Sequence, residues 1–211
     1  MTKRPLEKHN LKLNIERVYF HNAYVAKTSF VDLIQFVERF IRFELFHSIR
    51  MLGVSDSRNW ERLVRNYLEE VHSFIDLQRR TFSLVKQLLG QDFAAERRAI
   101  VEPLPIDSLI IQELRRQVHH ESAHIIFITE TATKAGDYPA IPIVMLRSTW
   151  FSEQAVIDRV VDVMTNPERL SLVFHTHCDH FVNSSNRIGN MLLEKLGFPS
   201  SKPTPKYGFK G

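Results

Sequence analysis

Cysteine is almost missing from this chain: Cys178 is the single copy among 211 residues. That excludes an intrachain disulfide framework and fits a reducing compartment. Glycine is sparse at seven copies, which are scattered, and neither a Walker-type nor a dinucleotide-binding loop can be found. A nucleotide or nicotinamide cofactor is therefore not supported. Long apolar runs are missing too. The most apolar stretches are broken by Glu38, Arg39, Arg42 and Glu44, so none qualifies as a membrane span. The first ten residues are polar and charged, without the apolar centre of a signal peptide. No internal repeat is visible. The expected setting is the cytoplasm, with no membrane contact.

What is present is phenylalanine, at 15 copies, and a mild basic excess, 28 basic against 24 acidic side chains for a net +4. That balance permits nucleic acid or an acidic partner without arguing for either. The composition, 44% hydrophobic and 25% charged, is that of a folded chain and unlike that of a disordered one.

The pattern changes near Pro103-Leu104-Pro105. Before it, after a short strand over Leu11–Val18, residues 31–51 carry Leu33, Ile34, Val37, Phe40, Ile41, Leu45 and Ile49 at helical spacing. Phe36, Phe43 and Phe46 widen that stripe. A second helix runs from about Arg58 to Leu89, with Asp56 or Ser57 at its start and Gly90 at its end. The two are expected to pair as an antiparallel hairpin. Its aromatic surface predicts a homo-oligomer, joined partly through Phe36, Phe40, Phe43 and Phe46.

After Pro103 the pattern alternates. Helices are expected over Ile106–His119, Glu153–Met164 and Asn186–Leu196, and strands over Ile125–Thr129, Ile141–Leu146 and Leu170–Phe174. That order reads as a β-α-β unit with a right-handed crossover. The expected fold is α+β or α/β: residues 1–102 mainly helical, residues 103–211 a small α/β layer, the two packed as one unit.

The chemistry concentrates in Phe174-His175-Thr176-His177-Cys178-Asp179-His180, read as a polar loop between a strand and a helix. Open α/β sheets place binding groups at such points. Imidazoles with a carboxylate are common ligands for zinc and related divalent ions. Locally, His175, His177, Asp179 and His180 resemble the metal signature of the metallo-β-lactamase fold, over about a dozen residues. That resemblance implies one metal on His175 and His177 and a second on Asp179 and His180. His175-Thr176-His177 also resembles the paired histidines of JAMM-type isopeptidases. Ser185 then fits that pattern, but Ile188 stands where it needs an aspartate.

A second cluster is His120-Glu121-Ser122-Ala123-His124. The i, i+4 spacing would put both imidazoles on one helical face, with Glu121 placed to activate a metal-bound water. Were the two clusters to meet, His120 or Glu121 could complete the ligand sphere. Cys178 invites a nucleophile reading, beside histidines and ahead of a helix N-terminus. In the helical half, Arg65, Asn66 and His72 resemble the ribonuclease motif of HEPN-domain proteins, which implies arginine and histidine acting on an RNA phosphate; Arg42 and His47 offer a shorter version. The basic pairs Arg79-Arg80 and Arg97-Arg98 could meet phosphate, in a field diluted by Glu61, Glu69, Glu70 and Glu96.

Two functions follow. One is a metal-dependent hydrolase acting on a phosphoester or similar polar substrate. It would use Zn or Mn held by His175, His177, Asp179, His180, His120 and His124, with Glu121 and Asp179 catalytic. The other is a non-catalytic nucleic-acid- or protein-binding module in a larger assembly.

Overall fold

Where burial is described, buried side chains recur every three or four residues, and the fold that results is helical. The structure is a computed structural model that describes residues 3–41, 54–120, 126–129, 141–144, 150–165 and 168–200. Helix α1 (Lys3–Ile15) passes into a π-helical segment (Glu16–His21) and then α2 (Asn22–Ile41). Helices α3 (Val54–Leu89), α4 (Ala94–Val101) and α5 (Ile106–His120) follow. Two short strands, β1 (Ile126–Thr129) and β2 (Ile141–Val144), precede α6 (Gln154–Thr165) and α7 (Glu168–Lys195).

The expected α/β or α+β class is overturned. β1 and β2 pair directly and antiparallel, Ile126 opposite Val144 and Thr129 opposite Ile141, so no crossover joins them. Residues 170–174 lie inside α7 and residues 11–18 inside α1 and the π segment. The reason is visible in α7. Leu170-Ser171-Leu172-Val173-Phe174 is too short an apolar run to separate strand from helix. Its continuation decides: Val173, Phe174, His177, Cys178, Phe181, Ser185, Ile188, Leu192 and Leu193 are all buried, a spacing that only a helix brings to one side.

The described residues divide into two compact units. Unit 1 comprises the described residues within 3–27, 70–103 and 179–200; unit 2 comprises those within 28–69 and 104–178. One join falls at Pro103–Leu104, where the sequence pattern changes; the others fall within α2, α3 and α7.

Unit 1 is built around Ile15, Val18, Tyr19, Phe20, Phe82, Val85, Phe93, Ile188, Leu192, Leu193 and Leu196. The π segment explains how Val18, Tyr19 and Phe20, three successive residues, are all buried. An i→i+5 turn rotates less per residue than an α turn, so neighbours stay on one side. They meet α7 at Gly189, where an added Cβ would lie 2.8 Å from Tyr19 Cβ and 2.9 Å from Phe20 Cζ. Glycine is needed here for close approach. Two hydrogen bonds set α1 antiparallel to α3: Asn14 Nδ2 to Thr81 Oγ1 (3.3 Å) and Tyr19 Oη to the Gln78 carbonyl (2.8 Å). Gln78 Nε2 in turn donates to Ser185 Oγ on α7 at 2.8 Å. Gly90 and Gly197 close α3 and α7 with positive φ, as their positions in the sequence lead one to expect.

Unit 2 buries Phe30 and Leu33 of α2, Val64, Tyr67 and Leu68 of α3, Ile110, Ile111 and Leu114 of α5, and Val156, Val160 and Val163 of α6. Helices α5 and α6 are tied by Arg159, whose Nε and Nη2 donate to the Asp107 carboxylate at 2.9 and 3.3 Å. That pairing holds the Arg159 guanidinium above its ordinary value. Asp107 also sits in the first turn of α5, where a carboxylate offsets the helix dipole.

Candidate functional site

The histidine run is helical, not a loop. At about 100° per residue an α-helix cannot aim four side chains spread over six positions at one point. On α7, His175 and Asp179 are four apart and both exposed, His177 and Cys178 are buried, and His180 is intermediate. His175 and Asp179 therefore share one side and His177 and His180 another, and no side carries all four.

Two of the imidazoles are occupied by the protein itself. His177 Nδ1 shares a hydrogen bond of 2.7 Å with the Tyr67 hydroxyl, both groups being buried. Tyr67 also meets the Phe174 ring edge to face, with centroids 5.8 Å apart, and Phe30 packs on both Tyr67 and His175. This aromatic nest is unit 2 core, and buried polar groups require such partners. In unit 1, His180 Nε2 lies 3.0 Å from the Val101 carbonyl. A carbonyl only accepts, so Nε2 carries the proton, and burial pushes the imidazole below its ordinary value, toward the neutral form.

Among the described residues no three or more His, Cys, Asp or Glu side chains are grouped so that they could hold a metal ion. His120 ends α5; its side chain, together with Glu121 and His124, lies outside the described residues, as do Arg42, His47 and the side chains of Phe36, Phe40, Phe43 and Phe46. Cys178 is 1% exposed and sits mid-helix, so the helix N-terminus expected ahead of it is not there; a reactive thiol needs access and a positive setting.

The HEPN-like residues lie two turns apart on α3. Arg65 donates to Glu61 Oε1 through Nε and Nη2 at 3.0 and 2.8 Å, and His72 Nε2 lies 3.4 Å from Asp76. Both are i, i+4 pairs of the kind that line exposed helix faces.

Sequence reading placed charge along the chain but not where the fold gathers it. Among the described residues, unit 1 carries 13 basic and 9 acidic side chains, a net +4, whereas unit 2 carries 8 basic and 11 acidic, a net −3. Both basic pairs belong to unit 1. Arg80 is exposed and makes no ion pair among the described residues; Arg79 lies 3.3 Å from Asp76, Arg98 lies 3.9 Å from Glu102, and Arg97 stacks on Phe82. The acidic residues beside α4 are themselves engaged: Asp92 accepts from the Ala94 N–H at 2.9 Å and pairs with Lys86, Glu96 is held by Lys195 at 2.9 Å, and Glu102 lies 3.9 Å from Arg98.

Compared with known proteins, the chain matches no family model, no curated protein and no solved structure. Among the described residues no helix is long and apolar enough to cross a membrane.

Proposed function

We propose that this chain is a non-catalytic binding module, one component of a larger assembly, whose unit 1 receives an anionic partner. The segregation of charge among the described residues, +4 against −3, carries this reading. An excess of basic side chains on one unit steers anionic partners and raises their association rate. The module works in a reducing compartment, the cytoplasm. The self-association expected through Phe36, Phe40, Phe43 and Phe46 belongs to the same reading, and sedimentation of micromolar protein decides it.

The test is anisotropy of labelled single-stranded DNA and labelled polyglutamate at about 50 and about 200 mM salt. Arg79→Glu with Arg80→Glu, and Arg97→Glu with Arg98→Glu, should weaken binding at least tenfold and flatten its salt dependence. His175→Ala, at an exposed position of α7, should leave it unchanged. No binding of either polyanion at the lower salt would overturn the reading. Phosphoesterase activity that appears on adding Zn²⁺ or Mn²⁺ and disappears with His175→Ala or Asp179→Ala would restore the hydrolase.

A second reading is favoured by one observation: the fold is helical, as the HEPN resemblance implies. On that reading Arg65 and His72 act on RNA, and Arg65→Ala or His72→Ala abolishes cleavage of single-stranded RNA while polyanion binding persists. Absence of cleavage by the unaltered protein removes it.

A further inference from the structure

Leucines stand in water on both helices that border the Asn14–Thr81 bond of unit 1. On α1, Leu6 and Leu13 are 64% and 51% exposed; on α3, Leu77 and Leu84 are 37% and 47% exposed. Leu6 and Leu13 are seven residues apart, as are Leu77 and Leu84, so each pair repeats along one side of its helix. On α1 that side is opposite the buried one, Ile15 being two residues on from Leu13; on α3 it flanks the buried one, with Thr81 and Val85 on its core-facing edge.

The two antiparallel bonds fix the register. Leu13 is one residue before Asn14 and Leu84 is three after Thr81, so both lie to the same side of that bond. Arg17 is three after Asn14 and Arg80 one before Thr81, so both lie to the other side. Each arginine is exposed. Arg17 donates only to Asn14 Oδ1, at 3.2 Å, and Arg80 makes no ion pair among the described residues. Two acidic residues close by in sequence have other partners: Glu16 lies 3.6 Å from Lys12, and Asp76 lies near both Arg79 and His72.

We infer that the α1–α3 face of unit 1 is a docking surface for an acidic, amphipathic protein segment. The inference rests on the binding-module reading and deepens it. The leucines take the partner's apolar side, and Arg17 and Arg80 take its carboxylates. Charge complementarity selects this occupant. A second copy would bring its own Arg17 and Arg80 against the first. Nucleic acid would satisfy the arginines and leave four exposed leucines without an apolar partner, whereas a helix with apolar residues at i, i+3, i+4 and i+7 covers them. Such repeated exposed leucines on one face are the mark of an interaction site.

The experiment uses the full chain and two fluorescein-labelled synthetic peptides of identical Leu/Glu/Ala composition. One places its leucines on a single helical side; the other is scrambled. Single-stranded DNA and analytical sedimentation complete it. The amphipathic peptide should bind at least tenfold more tightly than the scrambled one. Leu13→Asp with Leu84→Asp should remove that preference, circular dichroism confirming an unchanged fold. Arg17→Gln with Arg80→Gln should weaken binding and reduce its salt dependence. Equal binding of the two peptides, tighter binding of DNA than of the amphipathic peptide, or self-association lost with Leu13→Asp and Leu84→Asp each overturns this inference. The first two leave the anionic-partner reading standing. If neither peptide nor DNA binds at low salt, both readings fall together.

Discussion

Replacing Gly189 by alanine tests the account of unit 1 most directly, because two effects of opposite sign meet there. Alanine is a better helix former, and at a mid-helix position that alone would stabilise by about 1 kcal/mol. The structure argues for the reverse outcome. The new Cβ would meet Tyr19 Cβ at 2.8 Å and Phe20 Cζ at 2.9 Å, well inside the ordinary carbon–carbon contact of about 3.5–4.0 Å. Tyr19 Cβ is fixed to the main chain and cannot swing away. Tyr19 is also fully buried, and its hydroxyl donates to the Gln78 carbonyl at 2.8 Å, so a shift of the π segment strains that bond as well. Overpacking of this kind costs about 1–3 kcal/mol, with about 1 kcal/mol more for the weakened hydrogen bond. After the propensity gain the net loss is about 1–3 kcal/mol, or a fall in Tm of about 2–12 °C. Urea and thermal unfolding followed by circular dichroism measure it. Asn183→Ala, at an exposed position of the same helix, supplies the propensity gain without the clash and should be neutral or slightly stabilising. If Gly189→Ala is as stable as the parent or more so, the close approach of α7 to the π segment is wrong.

Three further outcomes follow from the same packing. Tyr67→Phe leaves His177 Nδ1 without the hydroxyl it meets at 2.7 Å and should lower stability by about 1–2 kcal/mol in urea; no loss would mean that the buried pair contributes nothing. Asp107→Ala removes the partner of Arg159 between α5 and α6 and, the pair being part-exposed, should lower stability by about 1–2 kcal/mol; an unchanged urea midpoint refutes the tie. His180 is held below its ordinary value by burial, so the unfolded chain takes up the proton first as pH falls. Its contribution is therefore present above the unfolded imidazole value, about 6.5, and is lost as pH falls from there through the folded one. The urea midpoint should drop between pH 7.5 and 5.5, and His180→Gln should lessen that slope; an identical slope counts against the burial of His180.

Much of the helical layout could be read directly from spacing. The ends of α3 and α7 at Gly90 and Gly197, the span of α5, and α6 after Ser152 all follow from periodicity and capping chemistry, which act within a turn or two of chain. So does the extended character of Ile126–Thr129 and Ile141–Val144, although not their direct antiparallel pairing. Leu170–Phe174 could not be assigned from its own five residues, because a short apolar run is compatible with strand and helix alike; burial continuing to Leu193 settled it. That one change also dissolved the metal loop. Four candidate ligands within six residues converge when the chain is free to curl, and diverge when a helix advances each by a fixed angle.

The candidate surface depended on tertiary structure in a different way. The identities of Arg79, Arg80, Arg97 and Arg98 are in the sequence, as is the net charge of +4. Their gathering into one unit is not, because unit 1 is assembled from three stretches separated by the residues of unit 2. Leu6, Leu13, Leu77 and Leu84 do not stand out in the sequence, since a periodic pattern tells which residues share a side but not which side meets solvent. The partner of His177 was equally out of reach, 110 residues away at Tyr67. Local chemistry determined where this chain turns into helix; only long-range packing decided which faces of those helices remained for a partner.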